Sequence, residues 1–190
     1  MTTSFQATNG LLVTIRPLGP DDAPHLYELF DHLSVESRYR RFHLALEHAD
    51  PAWLRVTAEQ ILDLHPPSQG WLAFADLPGQ PSVCIGGARL IVTSPDVAET
   101  SLTVRDDLQG YGIGAELLRL IVEAARQAGV QRLIADAQAS NLPVFRLLKR
   151  LGLRYRSETH AGETHLEVDL TQETSDTAAA SAGSDAAAAV

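Results

Sequence analysis

The chain has 190 residues, the length of one ordinary domain, with 45% hydrophobic and 21% charged residues, so a buried core is expected and global disorder is not. Its formal net charge is -9, and only three of those charges (Glu173, Asp176, Asp185) fall in the last twenty residues, so the body stays acidic, which argues against nonspecific nucleic-acid binding. The single cysteine, Cys84, excludes an internal disulfide, the first ten residues lack the basic and apolar regions of a secretion signal, and no window approaches the roughly 18 apolar residues of a membrane span, so a cytoplasmic protein is expected.

Met1 to Gly10 reads as a flexible N-terminus. Leu11 to Ile15 (LLVTI) reads as the first strand, followed by Arg16-Pro17 and a turn at Gly19-Pro20-Asp21-Asp22. Asp21 or Asp22 can cap a helix in which Leu26, Leu29, Phe30 and Leu33 recur at helical spacing. A second helix is predicted over Val35 to Phe42 with Ser34 as its cap, and a third over Pro51 to Leu62 with Asp50 as cap and Pro51 in its first turn. Three strands follow, at Trp71 to Ala75, Ser82 to Val92 (interrupted by Gly86-Gly87) and Glu99 to Val104.

Gly112 to Ala128 carries an apolar stripe of Ile113, Leu117, Leu120, Ile121 and Ala124 and stops at Gly129, which predicts a long amphipathic helix. A strand at Leu133 to Asp136, a helix at Asn141 to Leu151 and strands at Leu153 to Ser157 and Thr164 to Leu170 complete the pattern. The order defines an α/β sandwich around a mixed sheet, spanning residues 11–170. Residues 171–190, rich in Ala, Ser and Thr, cannot bury enough apolar surface to order themselves and are expected to form a disordered tail.

One loop carries chemistry. Between the strand ending at Val104 and the following helix lies Gln109-Gly110-Tyr111-Gly112-Ile113-Gly114. Alternating glycines at a helix start let a ligand approach the backbone, and the free N–H groups there, aligned with the helix dipole, favour phosphate. The spacing matches neither G-x-G-x-x-G nor G-x-x-x-x-G-K-[ST], so a dinucleotide or P-loop site is not indicated.

Val104 followed by Gln109, Gly112 and Gly114 resembles the acetyl-CoA motif of the GCN5-related N-acetyltransferases (GNAT), a strand valine and then [QR]-x-x-G-x-[GA]. Thr14-Ile15-Arg16-Pro17 with Asp21-Asp22-Ala23 resembles that family's opening strand and turn, and Asn141 to Leu153 resembles its later helix motif. Ser34 to Phe42 (SVESRYRRF) is similar to a run in the branch that acetylates protein lysines.

The resemblance implies acetyl-CoA as acyl donor. The amides of Gln109, Gly110, Tyr111, Gly112, Ile113 and Gly114 would hold its pyrophosphate. Main-chain groups of Leu102 and Val104 would pair with its pantetheine arm, and Asn141 would contact the cofactor near its thioester end or its arm. The amine would attack the thioester directly, and a glutamate resembling Glu99 in position would act as general base. The acceptor implied first is a protein lysine. The tyrosine that many members use as general acid falls at Leu148 here, a departure from the pattern that leaves open whether an acid is used.

Period-two alternation places Glu99, Ser101 and Thr103 on one strand face and Leu102 and Val104 on the other. Set against these roles are plainer ones: a solvated strand glutamate at Glu99, solvated arginines in Ser34 to Phe42, and a solvated helix face for Arg146, Lys149, Arg150, Arg154 and Arg156, a cluster that could otherwise meet the adenosine 3′-phosphate. Cys84 reads as core, and the seven histidines form no metal-ligand spacing, so no metal is expected. Two rival functions stay open, a small-molecule amine acetyltransferase and a noncatalytic acyl-CoA sensor. Monomer and homodimer are both compatible with the sequence, and no attached regulatory domain is expected within this length.

Overall fold

The computed structural model describes residues 2–44 and 46–171. The chain runs β1 (Thr3–Gln6), β2 (Leu12–Pro17), α1 (Ala23–Asp31), α2 (Val35–Phe42), α3 (Pro51–Leu62), β3 (Gln69–Leu77), β4 (Gln80–Ser94) and β5 (Val97–Val104). A 3-10 turn at Asp106–Leu108 leads to α4 (Ile113–Gln127), β6 (Arg132–Gln138), α5 (Leu142–Arg150), β7 (Arg154–His160) and β8 (Glu163–Asp169). Eight strands form one mixed sheet in the order β1-β2-β3-β4-β5-β6-β8-β7. The pair β5–β6 is parallel and the other neighbours are antiparallel, with α4 supplying the crossover that a parallel pair requires.

The sheet is covered on both faces. Ile113, Leu117 and Ile121 of α4 lie at 1% exposure or less against Ile85, Ala98 and Leu133. That is the apolar stripe of a 3.6-residue period meeting alternate residues of three strands. On the opposite face α1 sets Leu29 against Leu72, Phe74 and Cys84, a smaller cluster flanked by Leu18 and Leu26. Burial pushes the Cys84 thiol up to about 12, as befits a core cysteine.

Local chemistry accounts for the helix ends. Ser34 Oγ accepts from Ser37 N–H at 3.2 Å, and Asp50 Oδ1 accepts from the Ala52 and Trp53 N–H groups at 2.7 and 3.3 Å. At α1 the expected cap is replaced. Asp22 makes no cap bond but accepts from both Arg16 Nη atoms at 2.7 Å and from Gly19 N–H at 2.7 Å. The opening Arg16…Asp22 motif is therefore a bidentate clamp joining β2 to α1, and Arg16 holds the Asp22 carboxyl below its ordinary range.

Two sequence expectations are corrected. Residues 1–10, expected to be flexible, contain β1, whose Thr3–Gln6 pairs with Leu12–Ile15. Gly86-Gly87 does not interrupt β4. A Cβ at Gly86 would sit 2.8 Å from the Thr103 carbonyl oxygen, so glycine there allows β4 and β5 to approach closely. The disordered tail expected over 171–190 lies outside the described residues beyond Thr171.

Candidate active site

Strand register opens the site. β5 pairs with β4 along its length, out to Val104↔Gly86, but with β6 only at Val97↔Arg132, Ala98↔Leu133 and Glu99↔Ile134. Beyond Glu99 the two parallel strands separate, leaving a wedge at their C-terminal ends. Arg105 N–H donates to the Ile85 carbonyl on β4 at 3.0 Å, so alternation turns the main-chain groups of Leu102 and Val104 toward the wedge. Of these, the Val104 carbonyl already accepts from Gln109 Nε2 at 3.1 Å. The Gln109 side chain thus braces the strand end.

The glycine loop stands at the mouth of this wedge. Gly110 and Gly112 have φ of +84° and +94°, and a Cβ on either would meet nothing within 4 Å. Backbone conformation selects glycine here, and the space in front is open. Among the described residues nothing accepts from the N–H groups of Gly110, Tyr111, Gly112, Ile113 and Gly114. Five consecutive donors at the start of a 15-residue helix make an anion cradle. A Cβ at Gly114 would lie 3.8–3.9 Å from Leu102, Val104 and Leu147, where the wedge floor meets α5. The Tyr111 carbonyl accepts from Thr8 N–H at 3.1 Å, so the β1–β2 hairpin steadies the loop.

Asn141 lies across the wedge, just past the end of β6. Its N–H donates to the Gln138 carbonyl at 2.8 Å, and its side chain makes no cap bond. The loop and Asn141 stand at the same edge of the sheet because β5 and β6 are parallel. Leu148 is 3% exposed in the core, so no tyrosine acid stands at that position. Arg146, Lys149, Arg150, Arg154 and Arg156 are exposed on α5 and β7.

The other face of β5 carries Glu99, Ser101 and Thr103. Glu99 is exposed opposite Ile91 and forms no ion pair among the described residues. Two pairs share this sheet face and were not read from the sequence: His165 Nδ1 with Asp136 Oδ1 at 2.8 Å, and His43 Nδ1 with Glu163 Oε1 at 3.1 Å. Their partners are distant in sequence and no local spacing marks them.

The Ser34–Phe42 segment closes over this face. Asp106 accepts from Ser34 N–H and Ser34 Oγ at 2.9 Å and from Ser37 Oγ at 2.6 Å, tying α2 to the turn after β5. Two of its arginines are not the solvated groups the sequence suggests. Arg38 stacks 4.3 Å from the Phe30 ring centroid and donates to the carbonyls of Phe30 at 3.3 Å and Glu47 at 2.8 Å. Arg41 turns inward, and burial lowers it to about 10. Glu36 pairs with Arg40 at the surface, and Tyr39 is exposed.

Between α1, α2, α3 and the sheet lies a cavity of about 60 Å³, walled by Leu29, Phe30, Phe42 and Trp71 and by the polar groups of Arg41, Arg89, Ser101 and Thr103. An anion cradle and a largely apolar cavity thus lie on either side of one strand, β5. That arrangement offers a place for a phosphate-bearing ligand on one side of the strand and for a second small group on the other.

The comparisons narrow the class. The profile of the acetyltransferase (GNAT) domain matches residues 13–154, and the chain belongs to this acetyltransferase family. An acetyltransferase of Pseudomonas aeruginosa is 28% identical over 146 residues, covering 76% of each chain. Acetyltransferase Pat of Mycolicibacterium smegmatis is 27% identical over 167 residues, 87% of this chain but 48% of the relative, so this chain spans about half of Pat's length. The crystal structure of the GNAT domain of S. lividans PAT superposes with a TM-score of 0.71 at 24% identity, covering 88% of this chain and 96% of that one.

Proposed function

We propose that the chain transfers the acetyl group of acetyl-CoA directly to a primary amine. The observation that carries this reading is the row of five unpartnered N–H groups at Gly110–Gly114, set at the mouth of the β5–β6 wedge. The donor's pyrophosphate fits that cradle in charge and in space. Its arm would continue the ladder at Leu102 and Val104, with the Asn141 amide facing it across the wedge.

A primary ammonium has a pKa near 10.4, so a proton must leave before attack. Glu99, on the acceptor side of β5, accepts it. The amine nitrogen then forms its bond to the acetyl carbon as the carbon–sulfur bond breaks. The second nitrogen proton leaves with the CoA thiolate as thiol. One ammonium and one thioester thus give one amide, one thiol and the proton taken by Glu99.

A protein lysine is the acceptor that the similarity to Pat and the Ser34–Phe42 motif support. A small amine is the second reading, supported by the cavity beside Ser101 and Thr103. The first test is a thermal-shift titration. Acetyl-CoA and CoA, but not ATP, should raise Tm, because a ligand at about 100 times its Kd adds roughly 2.7 kcal/mol. In a thiol-release assay Glu99→Gln should lower kcat at least tenfold with acetyl-CoA affinity unchanged. No shift with acetyl-CoA refutes the donor site, and an unchanged kcat removes Glu99 from the mechanism.

A further inference from the structure

We infer that Arg41 and Arg89 form a carboxylate-recognition pair on the acceptor side, so that the amine this enzyme acetylates is a small α-amino acid or an analogue with a free carboxylate. The inference rests on the acetyl-transfer reading and, within it, decides for the small-amine acceptor over a protein lysine.

Arg41 and Arg89 both line the cavity, whose other walls are Leu, Ile, Phe, Trp, Ala and Gly residues together with Ser101 and Thr103. Arg41 makes no hydrogen bond or ion pair among the described residues and lies 5.3 Å from the Phe42 ring centroid. Arg89 donates once, from Nη2 to the Gln60 carbonyl at 3.0 Å, and its buried Nε has no acceptor. Asp63 and Glu99 act on Arg89 from a distance, and neither forms an ion pair with it.

Two like charges lining one largely apolar cavity are costly unless something compensates them. Burial and the Arg89 charge push Arg41 down together. Arginine stays protonated nonetheless, and its planar fork matches a carboxylate. An anion entering here would satisfy orphaned donors and relieve the repulsion at once.

Position explains why that anion belongs to the acceptor. Arg89 pairs in register with Ser101, and Glu99 lies one step along the same face of β5. A carboxylate held by the arginines leaves an amine a few atoms away facing the stretch of β5 that carries Glu99. A volume of about 60 Å³, roughly four times what a single water needs, takes the carboxylate end of the substrate and leaves the rest outside the cavity.

The experiment measures CoA-thiol release with acetyl-CoA and a panel of free L-α-amino acids, each beside its amide. 3-Methylbutylamine and a lysine peptide with blocked termini complete the panel. At least one free amino acid should be acetylated with kcat/KM ten or more times that of its amide. Arg41→Gln and Arg89→Gln should each raise KM for that acid at least tenfold, bringing its kcat/KM down toward that of the amide, while KM for acetyl-CoA stays unchanged. The wild-type comparison of acid with amide does not depend on either variant folding.

If amides, the plain amine or the peptide are used as well as every free acid, the carboxylate pair is overturned and acetyl transfer stands. If no amine is acetylated although acetyl-CoA raises Tm, this inference falls and catalysis with it. If acetyl-CoA raises no Tm, the donor reading itself has failed.

Discussion

Replacing Asp106 by alanine tests whether one carboxylate holds the acceptor-side helix to the donor-side loop. Asp106 accepts three hydrogen bonds, at 2.9, 2.9 and 2.6 Å, from Ser34 and Ser37. Each is worth about 0.5–1.5 kcal/mol net, and the exposure of Asp106 keeps a charged acceptor from exceeding that range. Ser37, only 8% exposed, would lose its acceptor. The expected loss is about 2–3 kcal/mol, and a domain of this size should lose roughly 4–12 °C in Tm. Calorimetry without ligand measures it, and Asp106→Asn, which keeps one acceptor oxygen, should lose about half as much.

The pH dependence has a definite sign. Burial alone would raise the Asp106 carboxyl, but the bonds from Ser37 and Ser34 outweigh it and hold the group below its ordinary value. A depressed folded pKa means stabilisation that is present above the ordinary carboxylate range and lost as pH falls through the folded value. The Tm gap between wild type and Asp106→Ala should therefore stay constant from about pH 6 to 8 and narrow below about pH 4. A gap under about 1 °C at neutral pH, or one that persists in acid, would refute the tether.

Gly112→Ala and Gly114→Ala should separate backbone strain from ligand approach. At Gly112 the φ of +94° makes any side chain costly by about 1–2 kcal/mol, so Tm and acetyl-CoA affinity should fall together. At Gly114, where a Cβ meets only ordinary contacts at 3.8–3.9 Å, Tm should hold while the calorimetric Kd for acetyl-CoA rises. Wild-type affinity in both variants contradicts the cradle. The Cys84 thiol, buried and raised to about 12, should resist iodoacetamide at pH 8 and react fully in urea, and rapid native alkylation would mean the α1 face opens readily.

What could be read in advance was what local chemistry encodes. Ser34, Asp50 and the stripe from Ile113 to Ala124 marked α2, α3 and α4, because a cap and a 3.6-residue period sit within one stretch of chain. The cradle was legible for the same reason, its glycines and its helix being neighbours. β1 was missed because Thr3–Gln6 is short and polar and gains its order from β2. Asp22 looked like a cap because its true partner, Arg16, belongs to another element. The inward turn of Arg41 and its meeting with Arg89 depend on how α2 packs over β4, which no single segment records. The wedge is a property of register between β5 and β6, invisible in either strand alone.

That short register has a mechanical consequence. Three residue pairs are all the ladder that hinges a five-stranded leaf, β1 to β5, to a three-stranded leaf, β6, β8 and β7. Beyond that ladder the leaves are joined through the core under α4, and amide exchange in β6 need not keep pace with that in β4. A donor arm bonded to Leu102 and Val104 would serve as the missing rungs and make the two leaves open and close as one. Substrate would then complete the architecture as well as undergo reaction, and the slowing of exchange across both leaves would report how firmly it is held.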